Sequence, residues 1–532
     1  MTVARFGDRP ALEFLGRRWT YAALGALVAR ATRGLQDLGV GRGTMVGLCL
    51  PNTPYSVIFY YAALKAGATV VNYNPLYVER ELAYQIKDSG TTVMVVLDLE
   101  AVYRNVANVA KAAGLETLIV CPMAGILPPA KAALFRLFKR RDLARIASDT
   151  RHTSFAAVIA NRAAPAPVAI DPASDIAVLQ YTGGTTGVPK GAMLTHANLT
   201  ANCRQAIAHW DGARMGQEVV LAVLPLFHVF AMTSVMNYAI AMGAELVLLP
   251  RFGLAQVIAT IERKKITIFN AVPTIYGAIN AAAAKRKPDL RSIRLSISGG
   301  APLPNEVRVA FTALTGCFLV EGYGLTEASP TVTCNPPSGE VKGGSVGTPV
   351  WGTIVEIRDP LDPERMLPTG EKGEVCVRGP QVMAGYWKRP ADTKAAFVDG
   401  ALRTGDIGYL DADGYLFLVD RIKDLILCSG FNVYPRVLEE ALYQHPAVHE
   451  AVVIGVPDTY RGQAPKAFVT LRPGAAVTGE ELRAFLTGYV SKIEMPRSVE
   501  IRDSLPKTMI GKLSKKELVA EESGNATGAV SS

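Results

Sequence analysis

Between Tyr181 and His196 the chain reads YTGGTTGVPKGAMLTH, and this segment limits the fold more than any other. An apolar run, 176–181, stops at Thr182, Gly183, Gly184, Thr185, Thr186 and Gly187, and a second run resumes at Gly191 after Pro189 and Lys190. Short apolar flanks around a cluster of turn residues predict strand–loop–strand rather than strand–loop–helix. A loop so poor in side-chain bulk leaves backbone N–H groups free to surround an anion. Threonine hydroxyls add donors, and Lys190 adds a compact positive charge. No G-x-x-x-x-G-K-[ST] pattern can be laid on the segment, so it is not a Walker loop. A ligand-free Gly/Thr hairpin is the plain alternative, and the joint presence of Pro189, Lys190 and Gly191 favours polyphosphate binding over it.

A chain of 532 residues exceeds one hydrophobic core, so more than one domain is expected. With 49% hydrophobic and 19% charged residues it reads as a packed globular enzyme. The net charge of +9 suits anionic ligands or an anionic membrane surface, and no basic tract interleaved with aromatics argues for nucleic acid. Seven cysteines without C-x-x-C spacing predict reduced core residues rather than disulfides or a zinc site. Together with a start that lacks a signal-peptide layout, they predict a cytoplasmic protein. Residues 219–250 are apolar enough to suggest a membrane span. Pro225, His228, Asn237 and Glu245 break the run, which reads better as strand, helix and strand buried on all sides. The rival is a membrane-embedded lipid uptake protein anchored by 219–250.

Helix and strand patterns alternate along most of the chain. Residues 55–65, 79–87, 254–264, 273–283 and 304–314 carry helical periodicity, and 69–72, 92–97, 266–270, 295–298 and 318–321 read as short parallel strands. The expected fold is α/β: a large N-terminal domain, 1–420, with two parallel-rich sheets and a β-rich subdomain at about 345–418. A small mobile α+β domain, 421–520, and a disordered tail, 521–532, complete it. Residues 128–146 form a basic amphipathic stretch, which leaves both a membrane-surface contact and a solvated helix open.

Further segments carry a resemblance. Ser298–Leu303 is SGGAPL, Glu321–Glu327 is EGYGLTE, Arg403–Tyr409 is RTGDIGY, Asp420–Ile426 is DRIKDLI, Gly430–Pro435 is GFNVYP and Pro506–Lys512 is PKTMIGK. In this order they resemble the adenylate-forming superfamily of acyl-CoA synthetases, luciferases and peptide-synthetase adenylation domains. PQVMAGYW, SGFNVYP and LPKTMIGKL are most similar to bacterial long-chain fatty-acid–CoA ligases. The resemblance implies that a carboxylate displaces pyrophosphate from ATP, giving acyl-AMP, and that the thiol of CoA then displaces AMP. No protein nucleophile is needed, only charge neutralisation and positioning.

By resemblance, Thr182, Gly183, Gly184, Thr185, Thr186, Gly187 and Lys190 wrap the β- and γ-phosphates. Thr182 and Glu327 would hold Mg²⁺, a hard cation that takes oxygen ligands. Gly300, Ala301 and Pro302 with Tyr323 and Gly324 would form the adenine slot, Asp406 would take the ribose hydroxyls, and Arg421 would add a ribose or phosphate contact. The implied catalytic set is Lys512, Glu327, Thr326 and His228. Lys512 would stabilise charge during adenylation, and His228 would close the acid side of the centre. Lys423 falls at the hinge about which the small domain rotates in relatives, and Gly430, Phe431 and Asn432 would line the pantetheine tunnel.

Phe227, Val229, Met232, Met236 and Tyr238 are the expected walls of the acyl pocket. Relatives that gate a fatty-acid tunnel with Trp four residues after the His have Met232 matched here, which leaves the gate and chain-length selection open. The expected activity is ATP-dependent ligation of a medium- or long-chain fatty acid to CoA. A medium-chain dicarboxylate or an aromatic acid is the alternative acid, and transfer to a carrier-protein thiol is the alternative second step. A homodimer stays open.

Overall fold

In the computed structural model, residues 2–182, 189–210, 212–336, 341–429, 431–507 and 513–528 are described. The alternating pattern folds as two parallel-rich sheets. The first has seven strands in the order His152–Ser154, Thr117–Cys121, Thr91–Leu97, Met45–Cys49, Thr69–Asn72, Ile176–Thr182 and Lys190–Thr195. All neighbours run parallel except the last pair, a hairpin in which Tyr181 faces Gly191 and Thr182 faces Lys190. Central strands such as Met45–Cys49 are buried along their whole length, as expected where helices cover both faces.

The second sheet begins with Arg17–Thr20, Pro10–Phe14, Glu245–Leu248 and Val219–Ala222. It continues through Ile268, which bridges Val220 on one side and Leu295 on the other, into Leu295–Ser298 and Phe318–Gly324. The strand expected at 266–270 is reduced to single bridges. The side chain of Asn270 accepts the Ile297 N–H at 3.1 Å, while the Phe269 carbonyl, its partner in a regular ladder, accepts from the Tyr276 hydroxyl at 2.9 Å.

Helix Pro54–Lys65 is buried on nearly every face within the core that both sheets share. The stretch 219–250 forms the expected buried unit, with one departure. Its helix is α over Val229–Ala231, π over Met232–Asn237 and α again over Tyr238–Met242. Among the described residues no helix is long and apolar enough to cross a membrane. All seven cysteines are buried and unpaired.

An antiparallel sheet of Ile354–Arg358, Gly373–Arg378, Ala401–Leu410, Phe397–Val398 and Leu416–Arg421 follows. Beyond the turn Ile422–Asp424, a five-stranded sheet with helices Pro435–Tyr443 and Gly479–Phe485 has its own core of Ile426, Leu438, Leu442, Val453, Val469 and Leu482. Helix Lys515–Gly528 runs into the tail expected to lack structure. Leu518 is fully buried against Val452, Ile454 and Phe468, while Glu521 pairs with Arg502 and Glu522 with Lys466. These contacts offset the low apolar content that made the tail read as disordered. In the basic stretch, helix Pro129–Phe138 buries Ala132 and leaves Leu137 and Phe138 more than 70% exposed.

Candidate active site

A deep cleft opens at the carboxyl ends of the second sheet and is walled on its far side by the C-terminal module. Thr182, His228, Gly300, Ala301, Pro302, Tyr323, Gly324, Thr326, Glu327, Asp406, Arg421 and Lys423 all line it. Residues scattered over more than 240 positions therefore meet at one place. Gly183, Gly184, Thr185, Thr186, Gly187, Gly430 and Lys512 lie outside the described residues. Phe431 and Asn432 lie on the strand Phe431–Val433, which pairs with Ile426–Cys428.

Strand geometry delivers most of these groups. Leu295–Ser298 ends at Gly299, and Gly300 has φ +83°, a conformation that favours glycine, so the chain turns sharply into Ala301 and Pro302. A β-carbon at Gly299 would approach the Phe230 ring at 3.1 Å, which keeps that wall close. The neighbouring strand ends at Gly324, where a β-carbon would sit 2.0 Å from the Pro330 carbonyl oxygen. The next residues form a short 3-10 turn, Thr326–Ala328, that carries Glu327.

Asp406 is 6% exposed and stands opposite Arg421 in the ladder. Its Oδ2 accepts from the Tyr323 hydroxyl at 2.6 Å, and its Oδ1 lies 2.9 Å from Arg421 Nε. Each carboxylate oxygen retains acceptor capacity, so two vicinal hydroxyls can still be received. Burial lowers the pKa of Lys423, with the nearby Arg421 adding to the effect.

Glu327 is held by a segment that sequence reasoning assigned no role. The Tyr386 hydroxyl donates to Glu327 Oε1 at 2.7 Å, and Met383 N donates to the Glu327 carbonyl at 2.8 Å. The same segment runs beside the loop hairpin. Trp387 N donates to the Gly191 carbonyl, Met193 N to the Gly385 carbonyl, and Tyr386 bridges Ala192. Lys190 Nζ lies 2.5 Å from Asp392 Oδ1 and 5.2 Å from the Tyr386 ring centroid. Asp88 fastens the far side, accepting from the Tyr181 hydroxyl at 2.6 Å and pairing with Arg389 at 3.2 Å. The phrase GYW was the only signal for this strap, and no spacing rule connects it to Glu327.

On the acid side, His228 caps the start of helix Val229–Ala231 beside the Phe227 ring. Gln180, just before the loop, donates to the Phe227 carbonyl at 2.8 Å and accepts from Asn72 at 3.0 Å. This couples the loop strand to the acid-binding segment. Of the five residues expected in the acyl wall, Val229 and Tyr238 line the cleft. Phe227 and Met236 line a separate small cavity, and Met232 is fully buried with its Sδ accepting from Asn72 at 3.3 Å. Beside Val229 and Tyr238 the cleft is faced by Phe230 and Ser234, which with Tyr238 form a row. These are spaced four apart, so they share one side of the helical segment.

This arrangement of a glycine-rich hairpin, a buried carboxylate and the turn Ile422–Asp424 at the edge of one cleft defines a nucleotide-handling ligase scaffold. Residues 1–387 match the AMP-binding enzyme family and 437–512 match its C-terminal domain. The chain belongs to the AMP-binding enzyme family. It is 41% identical to a long-chain-fatty-acid–CoA ligase of Bacillus subtilis (strain 168), covering 98% of this chain and 94% of that one. It is 35% identical to 4-coumarate–CoA ligase 5 of Oryza sativa subsp. japonica over 95% and 90% of the two chains. ATP-bound MatB from Rhodopseudomonas palustris superposes with a TM-score of 0.84 at 30% identity, covering 97% of both.

Proposed function

We propose that this protein ligates a medium- or long-chain fatty acid to coenzyme A through an acyl-AMP intermediate. A carboxylate oxygen of the acid attacks the α-phosphorus of ATP, the bond to the β-phosphate oxygen breaks, and pyrophosphate leaves. The CoA thiol then loses its proton, sulfur attacks the acyl carbonyl carbon, and the bond to AMP breaks. The observation that carries this reading is the single cleft shared by Asp406, Tyr323, Glu327, His228 and an apolar channel.

In this reading Asp406 receives the ribose hydroxyls, with Arg421 beside it. Gly300, Ala301, Pro302, Tyr323 and Gly324 bound the adenine. Gly183, Gly184, Thr185, Thr186, Gly187 and Lys190 cradle the outgoing phosphates, and Lys190 exchanges Asp392 for phosphate oxygen. Thr182 and Glu327 supply the oxygen donors that Mg²⁺ prefers, and both line the cleft, so the donor set fits that ion. Bound there, the ion would neutralise phosphate charge. Thr326 positions Glu327, and His228 closes the acid side. Lys512 stabilises charge in the first step, Lys423 serves as the pivot, and Gly430, Phe431 and Asn432 admit the thiol arm.

A monocarboxylic acid fits better than a dicarboxylic one. The cation behind the far wall, Arg294, is already engaged by Glu218 at 2.7 Å and covered by the Trp210 ring. CoA-dependent release of AMP across acids from C4 to C18, with an aromatic acid and a dicarboxylate included, tests the reading. Preference for either of the latter two would replace it.

Helix Pro129–Phe138 and the residues after it supply a surface for an anionic membrane. Leu134, Leu137 and Phe138 share one exposed face, flanked by Arg136, Lys139, Arg140, Arg141 and Arg145. Sedimentation with phosphatidylglycerol vesicles but not with phosphatidylcholine vesicles is expected, and loss of it on replacing Leu137 and Phe138 by Ser checks the site. Buried, unpaired cysteines suit a cytoplasmic setting at that surface.

A further inference from the structure

We infer that Trp210 is the end-stop of the acyl channel and sets the longest chain the enzyme accepts, an inference that rests on the fatty-acid reading above. The channel leaves the cleft at His228 and Gly299. It runs between the helical face of Phe230, Ser234 and Tyr238 and the sheet residues Ile268 and Leu295. Trp210, which follows helix His196–His209, lines the same space and is 5% exposed.

Two contacts make this indole a fixed wall. The Arg294 guanidinium stacks on it 5.1 Å from the ring centroid. Arg294 is itself pinned, donating to Glu218 Oε1 and to the Gly212 carbonyl, each at 2.7 Å. Gly212 packs so closely that a β-carbon there would meet Trp210 Nε1 at 2.6 Å. Helix Tyr238–Met242 packs against helix His196–His209, which ends at Trp210, and Tyr238 lines the same cleft as the indole.

Channel depth follows from the helix. From His228 to Tyr238 the segment advances at most about 15 Å at the α-helical 1.5 Å per residue, and less where it is π-helical over Met232–Asn237. An extended chain gains about 1.2 Å per bond, a third of the span of one extended residue. At most about a dozen carbons therefore reach the indole, and a longer acid must displace it. Met232, matched to the gating Trp of relatives, is buried away from the cleft and does not take that role.

The test is kcat/KM for saturated acids from C6 to C18 in wild type and Trp210→Ala. Wild type should lose about tenfold between C12 and C16, and Trp210→Ala should raise the C16-to-C8 ratio about tenfold, mainly through KM. A ratio within about twofold of wild type in an active variant overturns the inference. Should Trp210→Ala fail to fold, quenching of tryptophan fluorescence by ω-brominated acids decides. The C12 acid should quench and the C6 acid should not, with the difference abolished in Trp210→Phe. Equal quenching by both acids, or a difference retained in Trp210→Phe, overturns it. Wild type that activates no acid of any length would sink the fatty-acid reading instead, a result distinct from an unchanged profile.

Discussion

The hydroxyl of Tyr386 donates to Glu327 Oε1 at 2.7 Å across 59 positions of sequence, and the backbone of the same segment pairs with the strand that leaves the glycine-rich loop. Loop and carboxylate are thus built on one strap, so a shift of either is felt by the other. Tyr386→Phe removes the bond and nothing else. Hydrogen bonds to a charged group contribute about 1.5–3 kcal/mol, so pyrophosphate exchange should slow by about tenfold or more. The Mg²⁺ concentration for half-maximal rate should rise as well, as a metal titration of exchange would show.

Asp406 joins Tyr323 and Arg421, so Asp406→Ala strands a buried phenol as well as a guanidinium. Stability should fall by about 1–3 kcal/mol, read from the denaturation midpoint. If Asp406 receives the ribose hydroxyls as proposed, the KM for ATP should rise far more than the KM for the acid.

Burial pushes the Glu321 carboxyl from 4.5 up to about 7, against the pull of Arg436, and burial raises Asp420 to about 6. A carboxyl raised in the folded chain keeps its proton there to higher pH than in the unfolded chain. Its contribution is intact below 4.5 and lost as pH rises through about 7. Wild type should therefore lose stability over that window, and Glu321→Gln should lose less. Thermal midpoints of both proteins across the window check the sign.

Gly324→Ala would put a methyl 2.0 Å from the Pro330 carbonyl oxygen, where backbone rather than a flexible side chain must move. The expected cost is about 1–3 kcal/mol, with loss of nucleotide binding because the strand end carries Tyr323. Denaturant midpoint and ATP affinity should fall together.

Lys512→Ala should slow acyl-AMP formation by orders of magnitude yet spare thioester formation from supplied acyl-AMP. Equal losses in both half-reactions would contradict the two-conformation scheme.

Much of the fold was legible because periodicity and turn residues agreed. The strands Thr69–Asn72 and Leu295–Ser298 and the helix Leu254–Lys264 follow directly from pattern. The tail helix was not legible, since its stability comes from Leu518, Glu521 and Glu522 meeting strands far earlier in the chain. The acyl wall was read only in part, for a related reason. A segment apolar on every side carries no facing signal, and its π turn over Met232–Asn237 shifts which residues look into the cleft. Motif residues around the nucleotide were legible as chemistry, but Tyr386, Asp392, Asp88 and Gln180 act through partners that no spacing reveals.

Acid-dependent exchange of labelled pyrophosphate into ATP, measured without CoA, tests the central claim most directly. Exchange that requires a fatty acid, and that is lost in Glu327→Gln at limiting Mg²⁺, is the predicted result. Absence of exchange with every acid offered, while the purified protein remains folded, would contradict the account.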